Sequence, residues 1–242
     1  MKITISPDKQ IIVCLMLIAF LSCSKSMDTL VQTPPIVANI DSVNKKYLAL
    51  GDSYTIGQSV NMNERFAAQV TAQLRAAGIK MNEPEYIATK AWATLNLQAS
   101  INAQNPQGPY NAVSLLIGVN DQYQTHDTTN YRNNFTQLLN KSVALAGNRK
   151  ERVFVVSIPD YSVTPFVSQS NKAQVSKEVD WFNAINKQAT LSYGIVYIDI
   201  TPGSREGATN AALIANDGLH PSGLEYKKWA DALFVKMREV LK

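Results

Sequence analysis

Apolar runs and helical patterns take turns along the chain from Lys46 onward. Tyr47-Leu48-Ala49-Leu50 is an unbroken apolar run ending at Gly51, the pattern of a strand buried on both faces. Over 64–77, Phe66, Val70 and Leu74 recur at helical spacing, and Gly78 follows as a stop. Tyr86-Ile87-Ala88 gives a weaker second strand, followed by a weak helical stretch near 95–101. The run 113–117 predicts a third strand. A helix over 131–146 then puts Phe135, Leu138, Leu139 and Val143 on one face and ends at Gly147. A fourth strand at 153–156, a helix over 172–191 with Val175, Val179, Phe182 and Ile185 on one stripe, and a fifth strand at 195–200 complete the alternation. The last helix opens at Ser222 with Glu225 three residues on, the spacing of a capping box in which each side chain satisfies a free N–H. Strands alternating with helices predict a three-layer α/β/α fold around a flavodoxin-like, five-stranded parallel sheet. Ligands of such sheets bind beyond the carboxyl ends of the strands, where the winding reverses. The chemistry is therefore expected just after the strands.

The first residues read differently. Lys2 and Lys9 precede an uncharged apolar stretch over 11–21, too short for the ~20 residues that a membrane-spanning helix needs. A basic start and a short apolar core read as a secretory signal. Ser22-Cys23 then resembles the lipobox of bacterial lipoproteins, in which the cysteine is lipidated and becomes the mature N-terminus; Phe20 stands where that motif usually has leucine. The expected organisation is a lipoprotein signal peptide at 1–22, a polar tether with Pro34-Pro35 at 23–45, and one α/β domain at 46–242. The expected place is a bacterial cell envelope, with Cys23 as the membrane anchor.

Composition narrows the chemistry. In 242 residues, 45% hydrophobic and 17% charged, neither a disordered polyelectrolyte nor a polytopic membrane protein fits. The net charge of +4 is too mild and too scattered for a nucleic-acid footprint. Both cysteines, Cys14 and Cys23, lie in the first tenth of the chain, which excludes a disulfide framework or a zinc–thiolate site from the body. The two histidines, His126 and His220, are too few for a His-rich metal site. No metal and no cofactor are expected.

Four segments after the strands carry reactive or polar groups. They are Gly51-Asp52-Ser53-Tyr54, Ala88-Thr89-Lys90-Ala91-Trp92, Gly118-Val119-Asn120-Asp121 and Asn216-Asp217-Gly218-Leu219-His220-Pro221. Singly each is ordinary turn chemistry. Their order is more specific: serine after strand one, an amide after strand three, Asp-x-x-His before the final helix. That order resembles the SGNH (GDSL-type) hydrolase family over about 47–229. The segments 51–57, 118–123, 157–160 and 217–223 are similar to its lysophospholipase-type branch. The resemblance implies Ser53 as nucleophile, His220 as general base and Asp217 as the residue orienting His220. It also implies an oxyanion hole built from the Ser53 N–H, the Ala91 N–H and the Asn120 amide. Residue chemistry agrees: a serine hydroxyl needs a neighbouring base, and that base a carboxylate to fix its tautomer.

Two positions depart from the family pattern. Ala91 stands where the family usually has glycine, and Tyr54 replaces a leucine. Ala91 either contributes its N–H with negative φ or is held strained at positive φ. Asn120 is alternatively a loop amide satisfying backbone, and Asp121 a turn or helix-start residue. Asp52 is expected to be structural and His126 solvated. Trp92, Tyr123 and Phe166 either line a substrate pocket or pack against the body. Ser204-Arg205 either forms a surface loop or braces the site. The expected activity is hydrolysis of carboxylic esters, of lipids or small acyl groups, through an acyl-enzyme. The alternatives are a carbohydrate O-deacetylase on the same fold and a non-catalytic binding lipoprotein.

Overall fold

A computed structural model of the protein describes residues 43–242. The expected signal peptide, Cys23 and nearly all of the expected tether lie outside the described residues. Five strands form one parallel sheet: β1 (Tyr47–Gly51), β2 (Glu85–Ala88), β3 (Ala112–Leu116), β4 (Val153–Val156) and β5 (Val196–Ile198), in the order β2-β1-β3-β4-β5. The expected three-layer arrangement is the one observed. Every residue of β1, β3 and β4 is buried, which is why these strands read as continuous apolar runs. The edge strands β2 and β5 are partly exposed and correspondingly faint in the sequence.

The principal helices are α2 (Phe66–Ala76), α3 (Thr94–Gln104), α5 (Thr128–Leu145), α6 (Lys172–Ser192) and α8 (Gly223–Leu241). α2 packs on α8, while α5 lies against both α3 and α6. Phe66, Tyr226 and Trp229 form an aromatic cluster at the α2–α8 contact, with ring centroids 5.0–6.2 Å apart. Three short helices occupy the strand ends: α1 (Ser53–Ile56), α4 (Val119–Thr125) and α7 (Thr201–Ser204). They span too few turns for a 3.6-residue period to be visible. Among the described residues no helix is long and apolar enough to cross a membrane.

Several boundaries differ from expectation, each for a polar reason. α5 starts at Thr128, not 131, because the Asp127 side chain accepts from the N–H groups of Thr129 and Asn130 at 3.0 Å. β5 ends at Ile198 because Ser157 Oγ takes the Ile200 and Thr201 N–H groups at 2.8 and 3.1 Å and starts α7. The reciprocal capping box at α8 does not form. Ser222 Oγ accepts from Glu225 N at 3.4 Å, but Ser222 N donates to Leu213 O and the Glu225 carboxylate accepts from Trp229 Nε1.

The register sets the site. Gly51 at the end of β1 is level with Ala88 of β2 and Leu116 of β3. The winding reverses between β1 and β3, so residues 52–53, 89–92 and 117–120 emerge side by side at one rim. Gly51 has no room for a side chain there, since a Cβ would collide with Thr55 and the Leu116 carbonyl.

Candidate active site

Ser53 is the first residue of α1, a single turn that the chain enters directly from β1. Asp52 caps it: its Oδ1 accepts from Tyr54 N at 2.9 Å. The Ser53 N–H, at the first helical position, has no intrahelical acceptor. Its side chain is nearly buried, at 6% exposure, and lines a cleft of about 360 Å³. Asp217 and His220 line the same cleft. They sit in a tight loop in which Gly218, at φ 71°, turns the chain, and His220 O accepts from Ala215 N at 2.7 Å. Asp217 Oδ1 accepts from Leu219 N and His220 N at 3.0 and 2.9 Å, and Oδ2 lies 2.6 Å from His220 Nδ1. The His220 side chain is 5% exposed and the Asp217 side chain 28%. Burial opposes the charge on Asp217. The hydrogen bonds from the Ser59 hydroxyl, the His220 backbone and ring, and Leu219 N outweigh it and hold the carboxyl well below its usual range. Tyr54 meets the His220 ring edge-on at 5.6 Å between centroids.

On the opposite side, residues 89–92 form a turn closed by Trp92 N donating to Thr89 O at 3.3 Å. Two amides of α4 clamp this turn. Asn120 Nδ2 donates to Trp92 O at 3.0 Å and Gln124 Nε2 to Ala91 O at 3.1 Å, four residues apart on one helix face. One Asn120 N–H is thus engaged and its partner hydrogen remains for the cleft. Asp121, in the first turn of α4, is buried and caps α3 from outside, accepting from Thr94 N and Thr94 Oγ1 at 3.0 and 2.5 Å. Its burial raises the carboxyl, against the Thr94 hydrogen bonds.

A sequence profile of the GDSL-like lipase/acylhydrolase family matches residues 49–228. The chain belongs to the GDSL-like lipase/acylhydrolase family. No curated protein matches it. Among solved structures, TesA superposes with a TM-score of 0.65 at 14% identity, covering 81% of this chain and 100% of its own. The lipase/acylhydrolase from Enterococcus faecalis gives 0.63 at 15%, covering 82% and 97%. Axe2, an acetylxylan esterase from Geobacillus stearothermophilus, gives 0.60 at 19%, covering 80% and 94%. At such identities the likeness is one of fold.

Within this GDSL-family frame, the two departures noted in the sequence have structural outcomes. Ala91 adopts φ 63°, the left-handed region that glycine occupies freely. It is the third residue of its turn, where a type II turn requires positive φ. Ala91→Gly should therefore raise stability by ~1 kcal/mol, the left-handed penalty less the added freedom of the unfolded glycine chain. Thermal melts check this, with kcat expected within a few-fold because the N–H is retained. A hundredfold loss would mean that the Ala91 methyl shapes the cleft. Tyr54 packs between the His220 and Trp229 rings, so the replacement of leucine serves packing.

Tyr123 and Phe166 both line the cleft, 56% and 51% exposed, with centroids 6.2 Å apart. Phe166 is brought there by its N–H, which donates to Gly218 O at 3.1 Å. Trp92 does not join the lining; its ring packs half-buried against the core and only its carbonyl serves the site. His126 ends α4 at φ 54° and its exposed ring meets Glu178 Oε2 at 3.0 Å, so the solvated histidine has a carboxylate partner. Ser204 and Arg205 brace rather than line: Ser204 Oγ accepts from Asp160 N at 2.9 Å and Arg205 Nε meets the buried Asp160 carboxylate at 2.8 Å. Sequence reasoning missed Gln58 and Tyr161 in the lining and Gln124 in the clamp, which no motif marks, and gave no role to Lys90 and Leu219, which line the cleft from within the named segments. Among the described residues no three His, Cys, Asp or Glu side chains are grouped to hold a metal ion.

Asp52 is structural in an unusual protonation state. It is fully buried, Oδ2 has no hydrogen-bond partner, and burial pushes its carboxyl up to about 8, with Tyr54 N lowering it and Asp121 raising it. An unfolded aspartate ionises near 3.9. Between these values the unfolded chain releases a proton that the folded one keeps, so stability falls as pH rises from about 4 to 8. Asp52→Asn keeps the cap and removes this dependence. Its unfolding free energy at pH 8 should exceed the wild type's by on the order of 1–4 kcal/mol, with little gain at pH 4. Denaturant melts at both pH values test it, and equal pH slopes would contradict the assignment.

Proposed function

We propose that the protein is a serine esterase that hydrolyses carboxylic esters through an acyl-enzyme, with Ser53 as nucleophile, His220 as base and Asp217 as its orienting partner. The observation that carries this reading is the 2.6 Å contact between His220 Nδ1 and Asp217 Oδ2, placed on the same cleft as a serine at a helix start. Donation of Nδ1–H to Asp217 leaves Nε2 as the free acceptor. Nε2 takes the Ser53 proton as Oγ attacks the ester carbonyl. The tetrahedral oxyanion is stabilised by the Ser53 N–H, the Ala91 N–H and the second Asn120 N–H. The imidazolium then protonates the departing alcohol, and water repeats the sequence on the acyl-enzyme. The alkyl fluorophosphonate test is direct: a probe should label Ser53 in the wild-type protein and nothing in Ser53→Ala.

The substrate we propose is a lipid or small acyl ester, in keeping with the resemblance of 51–57, 118–123, 157–160 and 217–223 to the lysophospholipase-type branch. The cleft walls are mostly apolar, from Tyr54, Val119, Tyr123, Tyr161, Phe166 and Leu219. A second reading, carbohydrate O-deacetylation, is favoured by the exposed Tyr123–Phe166 pair, whose flat faces suit a sugar ring as well as an acyl chain. Acetyl, butyryl and long-chain esters compared with acetylated glycans separate the two.

We further propose that the enzyme works at a bacterial cell envelope, held by a lipid on Cys23 after removal of 1–22. Cys23→Ser should abolish palmitate labelling and yield soluble enzyme of unchanged kcat, since β1 begins at Tyr47, well beyond the cysteine. Labelling that persists in the serine variant would contradict the anchor.

A further inference from the structure

We propose that Ser59 is a positioning residue for the Asp217–His220 pair: its hydroxyl, 2.6 Å from Asp217 Oδ2, holds the carboxylate in the orientation that receives His220 Nδ1–H. The inference rests on the reading of His220 as the base and adds a component that no motif marks. The other three donors to the carboxylate, Leu219 N, His220 N and His220 Nδ1, all belong to the carboxylate's own loop. They move with that loop and cannot fix it against the rest of the site. Ser59 comes from the segment just after α1, 158 residues away, and so ties the loop to the element that carries Ser53.

Two independent features set Ser59 apart from an ordinary surface serine. Its backbone is at φ 68°, disfavoured for a residue with a Cβ and outside the Asn, Asp and Gly set that tolerates it best. Ser59 is also exposed, so its hydroxyl could be solvated by water and gains little for the fold by reaching Asp217. Strain retained at an exposed position beside reacting groups points to function.

The hydroxyl does more than orient. Oδ2 receives both Ser59 Oγ–H and His220 Nδ1–H, so the serine withdraws charge from the oxygen that faces the imidazole. Without it the carboxylate attracts the imidazolium more strongly, and the ring holds its proton to higher pH. The other groups near the pair are separate from this contact. Tyr54 meets the ring edge-on; Asp160, Tyr161 and Glu225 line a small cavity behind it; Tyr226 of α8 is buried near Asp217. None of them exchanges a hydrogen bond with Ser59 Oγ, whose contact is Asp217.

The test uses Ser59→Gly and Ser59→Ala in the full chain, with proton NMR titration of the two imidazoles beside kinetics on p-nitrophenyl acetate. His126→Asn assigns the two ring signals. Glycine accepts the backbone conformation, so Ser59→Gly should melt at or above the wild-type temperature. In both variants the His220 midpoint should move up while His126 stays put. kcat should fall about three- to tenfold with KM little changed, less than the full worth of a hydrogen bond to a charged group because three other donors still hold the carboxylate. In an Asp217→Asn background the Ser59→Gly change should cost nothing more. An unmoved His220 midpoint in both variants overturns the proposal, as does a glycine variant with wild-type midpoint and kcat beside a defective alanine one. A shifted midpoint with no change in turnover leaves Ser59 acting on the pair and overturns instead the reading of His220 as base.

Discussion

Ser53→Ala is expected to lower kcat for ester hydrolysis by at least about 10⁴-fold and to leave the protein folded. The substitution removes the one atom that forms the acyl bond, and nothing else at the α1 turn can replace it. The structural cost is small. Asp52 still caps Tyr54 N, Gln58 N still donates to the residue-53 carbonyl, and no core volume is lost. The stability change should stay within ~0.5 kcal/mol, readable as an unshifted denaturation midpoint. Residual catalysis above the water rate is expected from the oxyanion donors alone, which the alanine leaves in place. A variant that keeps more than a few percent of wild-type kcat would remove Ser53 from the mechanism.

His220→Ala should be nearly as damaging, and the Ser53→Ala/His220→Ala double variant scarcely worse than either single one. Groups that act as a unit are not additive: without the base the hydroxyl is a poor nucleophile, and without the hydroxyl the base has no proton to take. This variant also loses the edge contact with Tyr54 and one of the four hydrogen bonds to the Asp217 carboxylate, so destabilisation of about 1–3 kcal/mol accompanies the kinetic loss. Asp217→Asn should fall less far or equally. Because its hydrogen bonds hold Asp217 well below the usual carboxylate range, the carboxylate stays ionised on mild acidification. Loss of activity toward acid then follows protonation of the imidazole, which must be neutral to accept the Ser53 proton. His126→Ala provides the control, since that ring pairs with Glu178 and lines a separate hollow on α6. Equal damage from the two histidine variants would reassign the base.

Much of this architecture was legible in the residues because burial on both faces leaves a strong mark. Leu48, Leu50, Val113, Leu115, Phe154 and Val155 are completely buried, and their runs announced the central strands. Edge strands expose part of their length, and β2 with Glu85 and Tyr86 at its start shows how faint they become. Helix faces were visible where they pack, as at Phe135, Leu138 and Leu139 of α5. The polar first turn of the same helix was not, because its start is decided by the Asp127 side chain rather than by periodicity.

What the sequence by itself determined is the alternation of elements and the order of reactive residues along the sheet rim. An apolar run must be buried, and a parallel sheet delivers whatever follows each strand to the same edge. What only the tertiary structure decided is how those residues meet. That Ala91 turns at positive φ, that Trp92 packs against the core while Tyr123 and Phe166 face the cleft, and that Ser59 reaches Asp217 are all outcomes of register and loop closure. These depend on contacts between segments up to 158 residues apart, and no local period or propensity carries such information.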